Sequence, residues 1–269
     1  TPLGNLGDLT LRASETLRKV PVVAAEDTRR TRQLLHHLDA HPALLSVHAH
    51  STDQDIDSVL RHLAAGRDVA LVSDAGTPVV SDPGAFLVAR AREAGARVVP
   101  IPGVSAVTTA LSVSGMAADR YHFLGFPPRK GTERVRALTW ATGAGDAVVF
   151  FEAANRLVRL LQDLEELAGP GRLVLVAREL TKLHEELRSG PIALVRRHFE
   201  ETAPRGEVTV VLAPAGETSA EVEGPDVDIA GEARRLLAGG MRRSAVVREL
   251  VAAHKLPRNE VYRIVQDLP

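Results

Sequence analysis

The chain is predicted to be an α/β protein: two α/β domains followed by a small helical module. Three observations predict this. Short apolar runs rich in β-branched residues alternate with helix-periodic stretches between about 20 and 212. One of those runs delivers a small-residue loop just before a helix, which is where open α/β sheets place ligands. Beyond 213 the charge pattern breaks, from an acidic stretch to a basic one.

At 269 residues the chain is long enough for two domains and a sizeable core. Hydrophobic residues make up 45% and charged residues 25%, the balance of a soluble globular protein. No apolar run approaches the roughly 18–20 residues of a membrane span. The opening Thr1-Pro2-Leu3-Gly4 carries no charged and apolar leader, so a cytoplasmic protein is expected. There is no cysteine, which excludes disulfides, thiolate nucleophiles and cysteine-held metals. With a net charge of −1, nucleic acid would have to be held by local patches and not by a global field.

Taken in order, Thr1-Pro2-Leu3-Gly4-Asn5-Leu6-Gly7 reads as a loop into a helix from about 10, with Asp8 near its cap. Such a loop follows a strand of about 5–6 residues, so a strand is expected upstream of Thr1 in the natural protein. The run 20–25 is a strand leading into Glu26-Asp27-Thr28-Arg29-Arg30, where Asp27 or Thr28 can cap a helix through about 38. Two readings stay open for these acids: capping, or a site at the strand's carboxyl end. A strand over 43–47 leads to His48-Ala49-His50. Residues two apart on a strand share a face, but no third metal ligand lies near, and hydrogen bonding is the better reading for these histidines. A helix over 53–65 ends at Gly66.

The strand 68–72 then delivers Ser73-Asp74-Ala75-Gly76-Thr77-Pro78-Val79-Val80-Ser81-Asp82-Pro83. Glycine lets the backbone approach a ligand, and two prolines stiffen the loop. For Asp74, hydrogen bonding within the turn is the competing reading. A helix over 84–94 stops at Gly95. A further strand is expected at 97–101, followed by Pro102-Gly103-Val104-Ser105-Ala106 and a helix to about 114, whose first N–H groups are free for an anion. Repeated strand–loop–helix units make this half a mostly parallel sheet.

The texture changes near Tyr121. Strands are expected at 121–126, 147–151, 173–177 and 207–212, with helices after the basic turn Pro127-Pro128-Arg129-Lys130 and over 155–167. Hairpin-like spacings point to more antiparallel pairing, so the domains are placed at 1–116 and 117–213. From 214 to 232 there are six acids and no Lys or Arg, in small-residue sequence suited to a linker, set at 214–228. From 234 to 263 there are eight basic and two acidic residues, a net of +6. The apolar spacing within 229–269 predicts three short helices, at about 229–238, 243–253 and 257–267. Pro257-Arg258-Asn259 opens the last like a recognition helix, with Arg258 and Asn259 able to face nucleic acid. A packing module that covers the second domain is the competing reading.

Seven stretches in order carry a resemblance: Thr1-Pro2-Leu3-Gly4-Asn5-Leu6-Gly7-Asp8, Ala25-Glu26-Asp27-Thr28-Arg29, Leu71-Val72-Ser73-Asp74-Ala75-Gly76-Thr77-Pro78, Ser81-Asp82-Pro83-Gly84, Pro100-Ile101-Pro102-Gly103, Gly125-Phe126-Pro127-Pro128-Arg129-Lys130 and Ala177-Arg178-Glu179-Leu180-Thr181-Lys182. Together they resemble the tetrapyrrole methylase family of S-adenosylmethionine-dependent methyltransferases, above all its bacterial ribosomal branch. The resemblance implies two α/β domains of the tetrapyrrole methylase type with the cofactor in the cleft between them, usually as a homodimer. It implies 2′-O-methylation of a decoding-centre cytidine in 16S rRNA of the small ribosomal subunit. Two departures stand out. Val104 replaces a second Pro after Pro-Gly, and Phe151-Glu152-Ala153-Ala154-Asn155-Arg156 lacks the Ser-Pro-His usual after the Glu while keeping Arg156.

By the same resemblance, S-adenosylmethionine would be lined by Leu3, Asp74, Gly76, Thr77, Val80, Ser105, Ala106, Phe151, Glu152, Glu207 and Val208. Methyl transfer needs no metal. A ribose hydroxyl is a poor acid, so a carboxylate or a desolvated lysine must orient or deprotonate it. Glu26, Asp27, Glu179 and Lys182 are the candidates, although Lys182 could instead bind phosphate with Glu179 as its structural partner. Arg29, Arg30, Arg129 and Lys130 would meet RNA phosphates. Two alternatives stay open. One is methylation of a porphyrin-like macrocycle, which the Arg-rich segments and basic tail disfavour. The other is a non-catalytic RNA-binding protein that retains the nucleoside pocket.

Overall fold

The computed structural model describes residues 1–217, 229–254, 262, 265 and 266. The chain divides into two compact units, Thr1–Ser219 and Ala220–Pro269.

The first unit opens on a 3₁₀ turn, Leu6–Asp8, and helix α1 (Leu11–Lys19). The cap of α1 is Thr10, whose hydroxyl accepts a hydrogen bond from Ala13 N; Asp8 ends the turn just before it. Strand β1 (Val22–Ala25) runs into α2 (Thr28–His37), capped by the Asp27 carboxylate. Then follow β2 (Ala43–Ser46), α3 (Asp53–Ala64), β3 (Val69–Val72), α4 (Ala85–Glu93) and α5 (Ala106–Ser112). Thr52 and Asp55 close a reciprocal capping box at the start of α3. The sheet is parallel, in the order β2-β1-β3. Leu17 of α1 and Leu34 and Leu35 of α2 cover Val23 and Ala25 on one face of β1; Ile56 and Val59 of α3 and Leu87 of α4 cover Ala24 on the other. Burial on both faces is why β1 reads as an unbroken apolar run.

One expected strand does not form. Residues 97–101 join neither sheet, and Val98 and Val99 stand exposed. Their β-branched side chains have strand propensity, but propensity forms a strand only where a neighbour accepts the backbone hydrogen bonds.

The second sheet is built from β4 (Tyr121–Gly125), β5 (Ala147–Ala153), β6 (Leu173–Arg178), β7 (Glu186–Pro191) and β8 (Glu207–Leu212), in the order β4-β5-β8-β6-β7. Only β4 and β5 pair in parallel; the rest is antiparallel. The helices of this half are α6 (Thr132–Gly143), α7 (Leu157–Ala168) and α8 (Ile192–Glu201). Strand β5 alternates as a strand between two layers must. Val148 and Phe150 enter a core with Leu160 and Leu164 of α7 and Phe199 of α8. Ala147 and Val149 enter the opposite core, against Val107, Ala110 and Leu111 of α5. Helix α5 therefore packs on the second sheet, although it follows the first half in the chain. That docking brings the amino end of α5 to the ends of β5 and β8.

In the second unit, α9 (Ile229–Ala238) and α10 (Arg243–His254) share a small core of Ala233, Val246, Val247, Leu250 and Val265. Most of the expected third helix, including Arg258 and Asn259, lies outside the described residues. Among the described residues no helix is long and apolar enough to cross a membrane.

Candidate functional site

A cavity of about 440 Å³ lies where the loops after β1 and β3 face the ends of β5 and β8. That is within the range of small-molecule sites, roughly 300–1,000 Å³. The loop after β3 forms one side. Thr1 anchors it through its backbone: Thr1 N donates to Gly76 O at 3.1 Å, and Gly76 N donates back to Thr1 O at 3.0 Å. The Ser73 hydroxyl donates to Ala75 O and Gly76 O, and Thr77 Oγ1 donates to Val104 O at 3.3 Å. Gly76 has φ +76°, and a Cβ there would have ordinary clearance, 3.5 Å from Val104 O. The backbone angle is thus what demands glycine. Val79 and Ser81 adopt left-handed angles without that freedom, φ 78° and 63°. Strain of this kind persists where surrounding contacts over-determine the backbone, and it concentrates at functional sites.

The eleven residues expected to line the cofactor all reach this wall. Leu3 comes from the opening loop; Asp74, Gly76, Thr77 and Val80 from the loop after β3; Ser105 and Ala106 from the start of α5. Phe151 and Glu152 come from the end of β5, and Glu207 and Val208 from the start of β8. Of the four proton-transfer candidates, only Glu26 is on the wall. Asp27 points away: its carboxylate caps α2 and holds the Arg29 guanidinium at 2.7 Å, which keeps it far below the usual carboxylate range. Glu179 faces a neighbouring cavity, and Lys182 lines neither. Lys182 Nζ bridges Glu179 at 2.8 Å and Glu207 at 3.0 Å. Burial works against its charge, but the two carboxylates outweigh burial and raise its proton affinity. For Glu179, burial pushes upward, while Lys182 and Glu207 N hold it below its ordinary value. A Cβ on Gly206, at φ +87°, would collide with the Glu179 carboxylate, so this glycine is required by the close approach.

The wall carries five acids. Asp74 accepts from Asp27 N at 3.0 Å and pairs with Arg30 at 3.5 Å, so the turn-holding role foreseen for it exists. Glu152, with no side-chain exposure, accepts at Oε1 from the Arg156 guanidinium and from Ala153 N. Its Oε2 is buried with no hydrogen-bond partner. Glu207 pairs with Lys182. The remaining two, Glu26 and Asp82, are in no salt bridge among the described residues. Burial, then the Asp74 charge, raises Glu26 above its ordinary value. Burial, then the charges of Glu26, Asp74 and Glu207, pushes Asp82 up to about 6 against the Ser73 hydroxyl.

Sequence reasoning assigned no site role to Asp82 or Phe126. The first lies in the same loop as Asp74, inside Ser81-Asp82-Pro83-Gly84, and that loop's position was the available signal. Phe126 lines the wall with its ring 5.7 Å from that of Phe151, yet is 54% exposed. Arg29 and Arg30 are exposed beside the cavity, Arg30 on its wall; Arg129 and Lys130 are exposed on the turn after Phe126. His50 N donates to His48 Nδ1, and among the described residues no group of three His, Cys, Asp or Glu could hold a metal.

Comparison with known proteins bears on this site. The family model described as tetrapyrrole (corrin/porphyrin) methylases matches residues 1–195. The chain is 41% identical over its whole length to ribosomal RNA small subunit methyltransferase I of Synechocystis sp., covering 96% of that protein. It is 45% identical to the protein of the same name from Thermotoga maritima over 79% of this chain and 95% of that one. Among solved structures, a cobalt precorrin-4 methyltransferase superposes with a TM-score of 0.62 at 15% identity, over 79% of this chain and 91% of its own. Uroporphyrin-III C-methyltransferase from Thermus thermophilus complexed with S-adenyl homocysteine superposes with a TM-score of 0.56 at 19% identity, over 79% and 94%.

Proposed function

The chain belongs to the tetrapyrrole (corrin/porphyrin) methylase family, and from that premise we propose that it uses S-adenosylmethionine to methylate the 2′-hydroxyl of a decoding-centre cytidine in small-subunit ribosomal RNA. One observation carries the choice of substrate. Relatives named for ribosomal RNA methylation share 35–45% identity over most of the chain, whereas the tetrapyrrole enzymes share 15–20%, at which level the likeness is one of fold. The exposed cations Arg29, Arg30, Arg129 and Lys130 support the same reading as contacts for RNA phosphates.

The cavity suits S-adenosylmethionine by its own chemistry. The orphaned Glu152 Oε2 is an acceptor for a ligand N–H or O–H, since a buried carboxylate oxygen without a partner is costly. Thr77 and the backbone at 74–77 and 105–106 offer further polar contacts, and Leu3, Val80, Phe151 and Val208 supply apolar wall. When bound, the cofactor supplies a methyl group made electrophilic by its sulfonium. Phe126, half-exposed on the wall, offers a ring face on which a nucleobase can stack. The two carboxylates that keep Lys182 charged argue for a phosphate or positioning role and against a base. A homodimer would double the RNA-facing surface of a nearly neutral chain; light scattering at micromolar concentration should give twice the chain mass, and a monomer would refute this part.

The experiment is tritiated methyl transfer from S-adenosylmethionine to purified 30S subunits, with free 16S rRNA and uroporphyrinogen alongside. Label should enter one cytidine ribose of the RNA. Label in uroporphyrinogen alone would establish the macrocycle reading, and binding of S-adenosylmethionine without transfer to any acceptor would establish the non-catalytic one.

A further inference from the structure

Three of the five acids on the cavity wall are already neutralised by cations: Asp74 by Arg30, Glu152 by Arg156 and Glu207 by Lys182. Glu26 and Asp82 are the two that are not, and they come from different loops, after β1 and after β3. Asp82 sits in the strained turn between Ser81 and Gly84, and Ser81 Oγ abuts Gly125 of the second half, one residue before Phe126. Its carboxylate thus stands at the wall the aromatic ring shares.

We propose that Asp82 is a catalytic residue, accepting the proton of the ribose hydroxyl, and that Glu26, the other wall acid outside any salt bridge among the described residues, is a positioning residue for it. The proposal rests on an RNA ribose being the substrate. The step balances: the ribose oxygen bonds to the methyl carbon as the carbon–sulfur bond of S-adenosylmethionine breaks and its electron pair stays on sulfur. The hydroxyl proton passes to an Asp82 carboxylate oxygen and from there to water. A base that works near neutral pH needs a proton affinity near that pH, and must not be tied to a cation. Asp27, Glu179 and Lys182 fail one or both conditions. Asp82 meets both, with its affinity near pH 6. The charged and polar groups around it are Glu26 from β1's end, Asp74 and Ser73 from β3's end and Glu207 from β8, with Arg30 and Lys182 bound to two of these acids.

The test uses the full chain in four forms: wild type, Asp82→Asn, Asp82→Glu and Glu26→Gln. Two readouts are taken, carboxyl-carbon NMR titration of the ligand-free protein and single-turnover methylation of 30S subunits from pH 5 to 8.5. The resonance missing from D82N should titrate near pH 6, and in E26Q it should titrate lower, because a neighbouring negative charge is gone. The wild-type rate should rise with pH through the same value, and that limb should move down with it in E26Q. D82N should lose the limb and about 10²–10⁴-fold in rate, keep its affinity for S-adenosylmethionine, and be partly rescued in D82E. A D82N rate within about threefold of wild type with the limb intact overturns the proposal, as does a limb that E26Q leaves in place. Should D82N fail to fold, the shift of the rate limb in E26Q still decides it. A wild-type protein that methylates uroporphyrinogen but no RNA overturns the substrate reading, and the proposal with it.

Discussion

Removing Arg156 tests whether the cavity is held open by a buried ion pair. The Glu152 side chain has no exposure and the Arg156 side chain is 26% exposed, so this pair is shielded from solvent, unlike surface pairs worth little. Deleting the cation leaves a buried carboxylate whose Oε2 already has no partner and whose Oε1 keeps only Ala153 N. Breaking a buried pair from one side costs about 3–5 kcal/mol. A folding unit near 200 residues loses about 2–4 °C for each kcal/mol, so Arg156→Ala should melt roughly 10 °C lower than wild type. Glu152→Gln combined with Arg156→Ala removes the stranded charge as well, and should regain about half of the loss. Urea and thermal melts of the two single variants and the double variant measure this directly. If Arg156→Ala costs under about 1 kcal/mol, or the double variant is no more stable than it, the pair does not hold the wall.

Three further outcomes are expected. Thr77→Arg should fill the cavity and Gly76→Val should strain a φ of +76°; calorimetry should find S-adenosylmethionine binding lost in both while the fold survives, and unchanged affinity would remove this loop from the site. Asp82 has a folded-state affinity near pH 6 against 3.8 ordinarily, so the native protein holds the extra proton and loses stability as pH rises from about 4 to 6. Asp82→Asn should escape that loss and be more stable than wild type above pH 7, by on the order of 1 kcal/mol once partial exposure is discounted; equal stability at pH 8 by urea titration would contradict this. Deleting 226–269 should weaken binding to 30S subunits and flatten the slope of log affinity against log salt, because the net +6 of 234–263 is lost. Affinity for S-adenosylmethionine should not change, since the cavity wall lies within residues 3–209; an unaltered salt slope would make the tail a solvated face.

How much of this was legible depends on what each segment buries. β1, β5 and β8 are covered on both faces, so their apolar runs announce them. β7 was missed because it is an edge strand of mixed sequence, Glu186-Leu187-Arg188-Ser189-Gly190-Pro191, whose Gly and Pro read as punctuation. With β7 hidden, α8 had no anchor in the sequence reading either. The opposite error at 97–101 has the same root, since propensity is local and pairing is not. The wall of the cavity was legible because its residues sit at strand ends and helix starts. What sequence could not supply was which acids are spoken for. Asp27, Glu179 and Glu26 are all carboxylates in the sequence, and what separates them is the salt bridge: Arg29 holds Asp27, Lys182 holds Glu179, and Glu26 is in none among the described residues.

The segment after Glu152 shows how such partnerships also decide which residues are free to vary. Residues 153–155 are Ala, Ala and Asn, where a Ser-Pro-His was expected. In the fold, Ala154–Arg156 forms a single 3₁₀ turn between β5 and α7. That turn returns Arg156 to Glu152, four residues back, while Ala153 gives its N–H to the same carboxylate. The geometry needs a backbone N–H at 153, a tight turn, and a guanidinium at 156. It asks nothing of the side chains between, and Ala153 on the cavity wall contributes only a methyl group. The ion pair at the end of β5 therefore depends on Glu152 and Arg156, and the altered residues between them leave that pair intact.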